Sequence, residues 1–342
     1  MTSSPLMNTL AGKKPQRPPL WMMRQAGRYL AEYRAVRQDQ KDFISFCLNP
    51  EKACEVTLQP IQRFDFDAAI IFSDILMVPW ALERNVHFIP NTGPKLTPWT
   101  ADMPLNDTLL DKISTRLTPV GTAVQLTRSK LAAEKALIGF AGAPWTVITY
   151  MIEGGSSRDF ADTRQWLWSH PKEFEALLDY VTEATIQFLM VQARAGADVL
   201  MLFDSWASAV PAERREKIVI APVRRIVGAL RKQGIKQPII GFPKGIGEGI
   251  ISYAEEAEID ALAIDHTTDV AWVNKILPKN MPVQGNLDPL SLLVGGSEMR
   301  KSIDHILDSF KDRPHIFNLG HGITPPTPIC NVEQMVQWVR KS

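Results

Sequence analysis

The chain has 342 residues, 45% of them hydrophobic and 22% charged, with a formal net charge of +1. This is ordinary globular composition with enough apolar material for a large core, and the near-zero charge argues against a whole-surface binder of nucleic acid or acidic membrane. Cys47, Cys54 and Cys330 lack the paired spacing of a thiolate zinc site or redox pair, and no apolar run approaches the roughly 18 residues of a membrane span.

Residues 1–18 carry basic side chains but no apolar stretch of secretory length, so they read as a flexible N-terminal arm on a cytoplasmic protein. Residues 19–342 show no repeat, linker or composition shift and read as one domain. The first short apolar run, 19–23, leads into Arg24 and Arg28, with Arg34 and Arg37 close behind. Asn49 before Pro50 predicts a capped helix, and the run 68–72 follows, ending near Ser73 and Asp74. A long connection, 74–107, precedes the run 136–141; a second, 143–170, contains Tyr150, read here as a loop residue. Phe174, Leu177, Leu178 and Val181 form a helical stripe behind Pro171, and that helix should stop at Gly196. Run 198–203 then ends at Asp204 and Ser205. Pro222 opens a helix with Val223, Ile226, Val227 and Leu230 on one face, and run 238–242 ends near Lys244. Runs 261–264, 281–285 and 315–319 end near Asp265 and His266, Asn286, and His321. Asn331 and Gln334 have capping-box spacing before a last helix.

Eight such runs alternating with helices predict an α/β fold, a single-domain (β/α)8 TIM barrel. An open dinucleotide-binding sheet usually has about six strands and a GxGxxG turn after the first. Here that turn reads Arg24-Gln25-Ala26-Gly27-Arg28-Tyr29, and the glycines at 245, 247 and 249 lack the full spacing. In such barrels chemistry sits at the C-terminal strand ends, where these polar residues cluster.

Arginine forks grip carboxylates or phosphates, so Arg24, Arg28, Arg34 and Arg37 form an anion site if they face one way; otherwise they are a solvated helix face. Asp74 is either a helix cap or a carboxylate for N–H donors and developing positive charge. Tyr150 and Ser205 suit packing and turn roles as well as a pocket. His321 lies between Gly320 and Gly322, which would let the backbone approach a ligand.

Several of these segments resemble the uroporphyrinogen decarboxylase family. Pro19-Leu20-Trp21-Met22-Met23-Arg24-Gln25-Ala26-Gly27-Arg28-Tyr29 is similar to its N-terminal motif, and Gly139-Phe140-Ala141-Gly142-Ala143-Pro144-Trp145-Thr146 to a second. The likeness continues through Phe72-Ser73-Asp74-Ile75-Leu76, Gly285-Asn286-Leu287-Asp288-Pro289 and Asn318-Leu319-Gly320-His321-Gly322. It implies a barrel that dimerises with facing clefts and a lyase of porphyrin biosynthesis. That lyase converts the four acetates of uroporphyrinogen to methyls, giving coproporphyrinogen. By the same carry-over Arg24, Gln25, Ala26, Gly27, Arg28 and Arg37 bind substrate carboxylates, Asp74 holds the pyrrole N–H groups, and Tyr150, Ser205 and His321 line the pocket. The family often has Glu where Asp204 stands.

The implied chemistry needs no cofactor or metal, because a pyrrole protonated on a ring carbon is its own electron sink. A carboxylate about 4 Å from that cation stabilises it by about 4 kcal/mol at an effective dielectric near 20, roughly a thousandfold in rate, so Asp74 takes the catalytic role. The proton donor is Tyr150, His321 or water. Two other readings are a zinc-dependent methyltransferase of related fold and a non-catalytic tetrapyrrole carrier. The first would want a cysteine near Gly320, and none stands there.

Overall fold

The computed structural model describes residues 4–90 and 92–341. The strands are β1 (Ala68–Ile70), β2 (His87–Ile89), β3 (Gly93–Lys95), β4 (Ala136–Gly142), β5 (Val199–Asp204), β6 (Ile239–Pro243), β7 (Ala261–Ala263), β8 (Val283–Gln284) and β9 (His315–Ile316). Seven of them form one sheet in the order β1-β4-β5-β6-β7-β8-β9, with every neighbouring pair parallel. β2 and β3 pair separately and antiparallel. All residues of β4 and β6 are buried, as befits parallel strands covered on both faces. Connecting helices include Pro50–Phe64, Thr118–Lys130, Pro171–Arg194, Ala221–Lys232 and Gly296–Phe310. One continuous apolar core reaches from Leu6 to Val339.

Seven of the eight expected runs are strands; the first is not. Run 19–23 makes a single parallel bridge, Leu20 to Phe317, because Pro18 and Pro19 have no N–H to extend a ladder. Leu20 still touches both sheet edges. Phe317 N donates to Pro19 O (2.9 Å) beside β9, and Asp67 N donates to Leu20 O (2.9 Å) beside β1, so the sheet curls.

One device recurs at the strands' N-terminal ends. Asp198, just before β5, accepts the Leu137 N–H of β4 (2.8 Å) and pairs with Arg128 (2.6 Å). Asp260, just before β7, accepts the Ile239 N–H of β6 (2.7 Å) and pairs with Arg231 (2.7 Å). Asp67, just before β1, does the same with the Leu20 N–H (2.8 Å) and Arg17 (3.3 Å).

Three further expectations need correction. The arm is not loose from Ser4 onward: Pro5–Leu10 is a helix whose Leu6 and Leu10 are buried, and Lys14 pairs with Asp312. Residues 1–3 lie outside the described residues. The two long connections are structured and bound to each other. The first holds helix Met77–Ala81 and the β2–β3 hairpin, the second helices Pro144–Glu153 and Ala161–Ser169. Leu96 N donates to Gly154 O (3.0 Å) and Trp99 N to Met151 O (2.7 Å). Finally, Asn331 caps nothing, since the last helix, Ile329–Lys341, starts before it. Its Nδ2 instead donates to Leu292 O and Leu293 O (both 3.0 Å), tying that helix to Pro289–Val294.

Candidate active site

The residues singled out for chemistry gather beyond the C-terminal ends of the strands. The segment after Leu20 leaves the sheet through Arg24, which has φ +62°, a left-handed conformation that costs a non-glycine residue about 1 kcal/mol. Gln25 fixes this bend. Its side chain is fully buried, accepting from Met22 N (3.1 Å) and donating to Ala68 O (3.1 Å), so it braces the segment against β1 and does not face the mouth. Ala26 and Gly27 are half-buried on the turn. Arg24 and Arg28 are exposed, and neither pairs with a carboxylate among the described residues. Arg34 is spent locally on Arg28 O (2.7 Å) and Tyr29 O (3.2 Å). Arg37 lies 6.0 Å from the centre of the Phe46 ring and donates to Gln40 O (3.1 Å).

Asp74 is not the N-cap of the helix that follows, and among the described residues only one of its oxygens is bonded. Its Oδ1 accepts the Leu76 N–H (2.8 Å) at the start of helix Met77–Ala81, while its other oxygen has no hydrogen-bond partner among the described residues. The side chain sits deep in the concave mouth with one side still accessible. Burial pushes its pKa up to about 6, against the pull of the Leu76 N–H and the Arg24 charge. Tyr150 lies on helix Pro144–Glu153 rather than in a loop, and its hydroxyl pKa is raised by burial, with Asp74 and Arg24 both within electrostatic reach. Buried Tyr33, pushed up to about 12 mainly by burial, feels Arg37, Arg28 and Asp74 together. Arg24, Arg28, Arg37, Asp74 and Tyr150 thus share one side of the mouth.

His321 follows β9, next to the segment that carries Arg24. A Cβ on Gly322 would meet Arg24 Cδ at 2.3 Å, and one on Gly320 would meet the His266 backbone N at 2.1 Å. Both flanking glycines are therefore required by close contacts within the protein. Burial holds the imidazole neutral, its pKa lowered to about 3, with Arg24, Lys244 and His266 acting in the same direction. Nδ1 is buried without a protein partner. The ring stacks 6.3 Å from Phe242, which continues through Phe203 (6.0 Å) to Phe140 (5.4 Å), an apolar floor across β6, β5 and β4.

The residues at the end of β5 form a hydrogen-bonded network in which Asp204 Oδ2 and Trp206 Nε1 are buried without a partner among the described residues. Buried Asp204 accepts from the Thr146 hydroxyl (2.5 Å), which itself accepts the Trp206 N–H (3.1 Å), while Trp145 Nε1 donates to Trp206 O (2.8 Å). Burial raises the Asp204 pKa to about 7. Ser205, between them, is half-buried with no side-chain hydrogen bond among the described residues. Sequence reasoning missed the aromatic floor, Trp206 and the weight of Lys244. The recurring phenylalanines in Phe140-Ala141-Gly142, Phe203-Asp204-Ser205 and Phe242-Pro243-Lys244 were the available signal.

Among the described residues no three or more His, Cys, Asp or Glu side chains gather where they could hold a metal, and no helix is long and apolar enough to cross a membrane. A family model described as uroporphyrinogen decarboxylase (URO-D) matches residues 1–342. The uroporphyrinogen decarboxylase of Maricaulis maris (strain MCS10) is 48% identical over 340 residues, covering 99% of this chain and 98% of its own. That of Novosphingobium aromaticivorans is 47% identical over 336 residues, covering 98% of each. Among solved structures, a methyltransferase from Methanosarcina mazei superposes with a TM-score of 0.80 at 17% identity, over 98% of this chain and 97% of that one. A B12-independent methionine synthase from Shewanella sp. W3-18-1 gives 0.55 at 10%, over 85% of each. Those two likenesses concern the fold alone.

Proposed function

The chain belongs to the uroporphyrinogen decarboxylase family, and from that premise we propose that it decarboxylates the four acetate side chains of uroporphyrinogen III to methyl groups, releasing coproporphyrinogen III in porphyrin biosynthesis. The observation that carries this reading is the pairing of one carboxylate, Asp74, with several unpartnered cations around an apolar floor. The substrate is a flexible apolar macrocycle rimmed by eight carboxylates, and the mouth has the complementary arrangement.

In this scheme Arg24, Arg28 and Arg37 take substrate carboxylates, with Ala26 and Gly27 shaping the turn and Gln25 bracing it. The free oxygen of Asp74 accepts pyrrole N–H groups. When a pyrrole carbon is protonated the ring becomes cationic, Asp74 stabilises that cation, and the acetate's C–C bond breaks, releasing CO2 while its electron pair passes to the ring. The exocyclic methylene so formed takes up a proton to become the methyl, and the ring carbon gives its added proton back. The pyrrole supplies its own electron sink, so the scheme uses no cofactor or metal. Tyr150, Ser205 and His321 line the remaining wall. With a pKa near 3, His321 holds no proton to give as imidazolium at neutral pH, leaving Tyr150 or water as donor.

The same reading extends to architecture. Residues 19–342 are taken as one domain and a closed (β/α)8 barrel, with the Leu20 segment as the eighth stave. Its contact with Asp67 repeats the contacts of β4 with Asp198 and β6 with Asp260. The working form is a cytoplasmic homodimer with facing clefts and no nucleic-acid or membrane partner. Leu290 and Val294, 59% and 81% exposed just past β8, are apolar surface such a contact would cover. The test is anaerobic incubation of chelator-treated protein with uroporphyrinogen III, then oxidation and chromatography by carboxylate number. Stepwise loss from eight carboxylates to four supports the reading; unchanged substrate overturns it.

A further inference from the structure

We propose that Lys244 is a substrate-binding residue, gripping a carboxylate of the tetrapyrrole at the C-terminal end of β6; the proposal rests on the uroporphyrinogen reading above. Lys244 follows β6 directly, and its backbone is pinned. Its own N–H donates to Asp204 O (3.0 Å), and the next N–H, of Gly245, donates to Asp265 Oδ2 (2.7 Å). This anchoring turns the half-buried side chain back over Trp206, with Nζ 5.6 Å from the ring centre. The ammonium also lies close enough to His321 to act on its titration alongside Arg24, so it faces the same mouth.

The half-buried side chain of Lys244 leaves its ammonium able to meet an anion from outside the protein. No carboxylate among the described residues pairs with it. Two carboxylates stand on the adjoining strand ends, Asp265 with its oxygens taken and Asp204 buried with one oxygen, Oδ2, unpartnered among the described residues. Asp265 is taken by the Gly245 N–H, the Thr267 N–H (2.8 Å) and the Thr267 hydroxyl. Asp204 is sealed behind Thr146, 1% exposed. The Trp206 face orients the cation without neutralising it. The remaining source of negative charge is the ligand, whose carboxylates ring the macrocycle and outnumber the arginines available to them.

The experiment measures kcat and KM for uroporphyrinogen III with wild type, Lys244→Met and Lys244→Arg at low and near-physiological salt. Methionine keeps the apolar stem over Trp206 and removes the charge; arginine restores the charge. Lys244→Met should raise KM about tenfold with kcat nearly unchanged and make KM less salt-dependent, and Lys244→Arg should stay close to wild type. An unchanged KM in Lys244→Met overturns the proposal. So does an equal rise in both variants, which would make Lys244 a strut for Trp206. Absence of wild-type turnover would remove the substrate reading itself, and this proposal with it.

Discussion

The two ends of the sheet treat charge in opposite ways. At the N-terminal ends, Asp67, Asp198 and Asp260 each hold an arginine and the first N–H of the neighbouring strand or segment, and Lys135 and Arg340 both close on Asp65. At the C-terminal ends, among the described residues, Arg24, Arg28 and Lys244 have no carboxylate partner, Asp74 keeps one oxygen free, and His321 keeps a buried nitrogen unanswered. Charges that close on themselves tie neighbouring strands together; on the proposed function, charges left open meet the substrate. The sheet thus separates structural from functional polarity by which end of a strand a residue occupies.

The sharpest way to test that division is to make one chemical change at each end. Asp74→Asn should lower kcat about a thousandfold while substrate binding persists, whereas Asp198→Asn should leave kcat intact and cost the fold about 2 kcal/mol. Steady-state decarboxylation and urea unfolding on both variants read this directly. Arginines extend the contrast. Arg28→Ala should raise KM roughly 10- to 100-fold with little change in melting. Arg128→Ala, which loses bonds to Asp198, Leu131 O, Ala132 O and Lys135 O, should cost about 2 kcal/mol of stability at unchanged KM.

Titration sharpens it further. Asp74 must be ionised to work, and burial puts its pKa at about 6, so kcat/KM should fall about tenfold per unit below that pH. His321, neutral down to about 3, should add no limb of its own between pH 4 and 8. The smallest effect concerns Asp204. Its folded-state pKa of about 7 stands above the unfolded value, so folded protein binds this proton more tightly and loses stability as pH rises from about 4 to about 7. From about pH 6 to about pH 7 that loss is about 1 kcal/mol, and Asp204→Asn should abolish it in chemical denaturation.

Much of this layout was legible in the sequence because parallel strands are short, continuous apolar runs with polar residues at their ends. Seven of eight runs formed strands on that basis, and Asp74 and His321 stood out for the same reason. The first run failed as a strand because its prolines remove ladder donors, and its neighbours are set by Asp67 and Phe317, far along the chain. The β2–β3 hairpin escaped notice because its residues are half-buried or exposed and one is Pro94, so neither alternation nor an apolar run marks it. Gln25 looked like part of a ligand motif, but its partner is Ala68 O, a contact no local spacing announces. Lys244 was visible as a strand-end residue, yet only the bonds that take up Asp265 and the burial of Asp204 set it apart.

The claim that the open charges at this mouth serve an acidic tetrapyrrole is tested most directly by kcat/KM of the wild-type protein for uroporphyrinogen III between about 50 mM and about 200 mM salt. Unpartnered, partly exposed cations meeting a polyanion predict a fall of about tenfold or more, carried by KM, with the unfolding midpoint almost still. A kcat/KM that stays flat across that range would contradict the account.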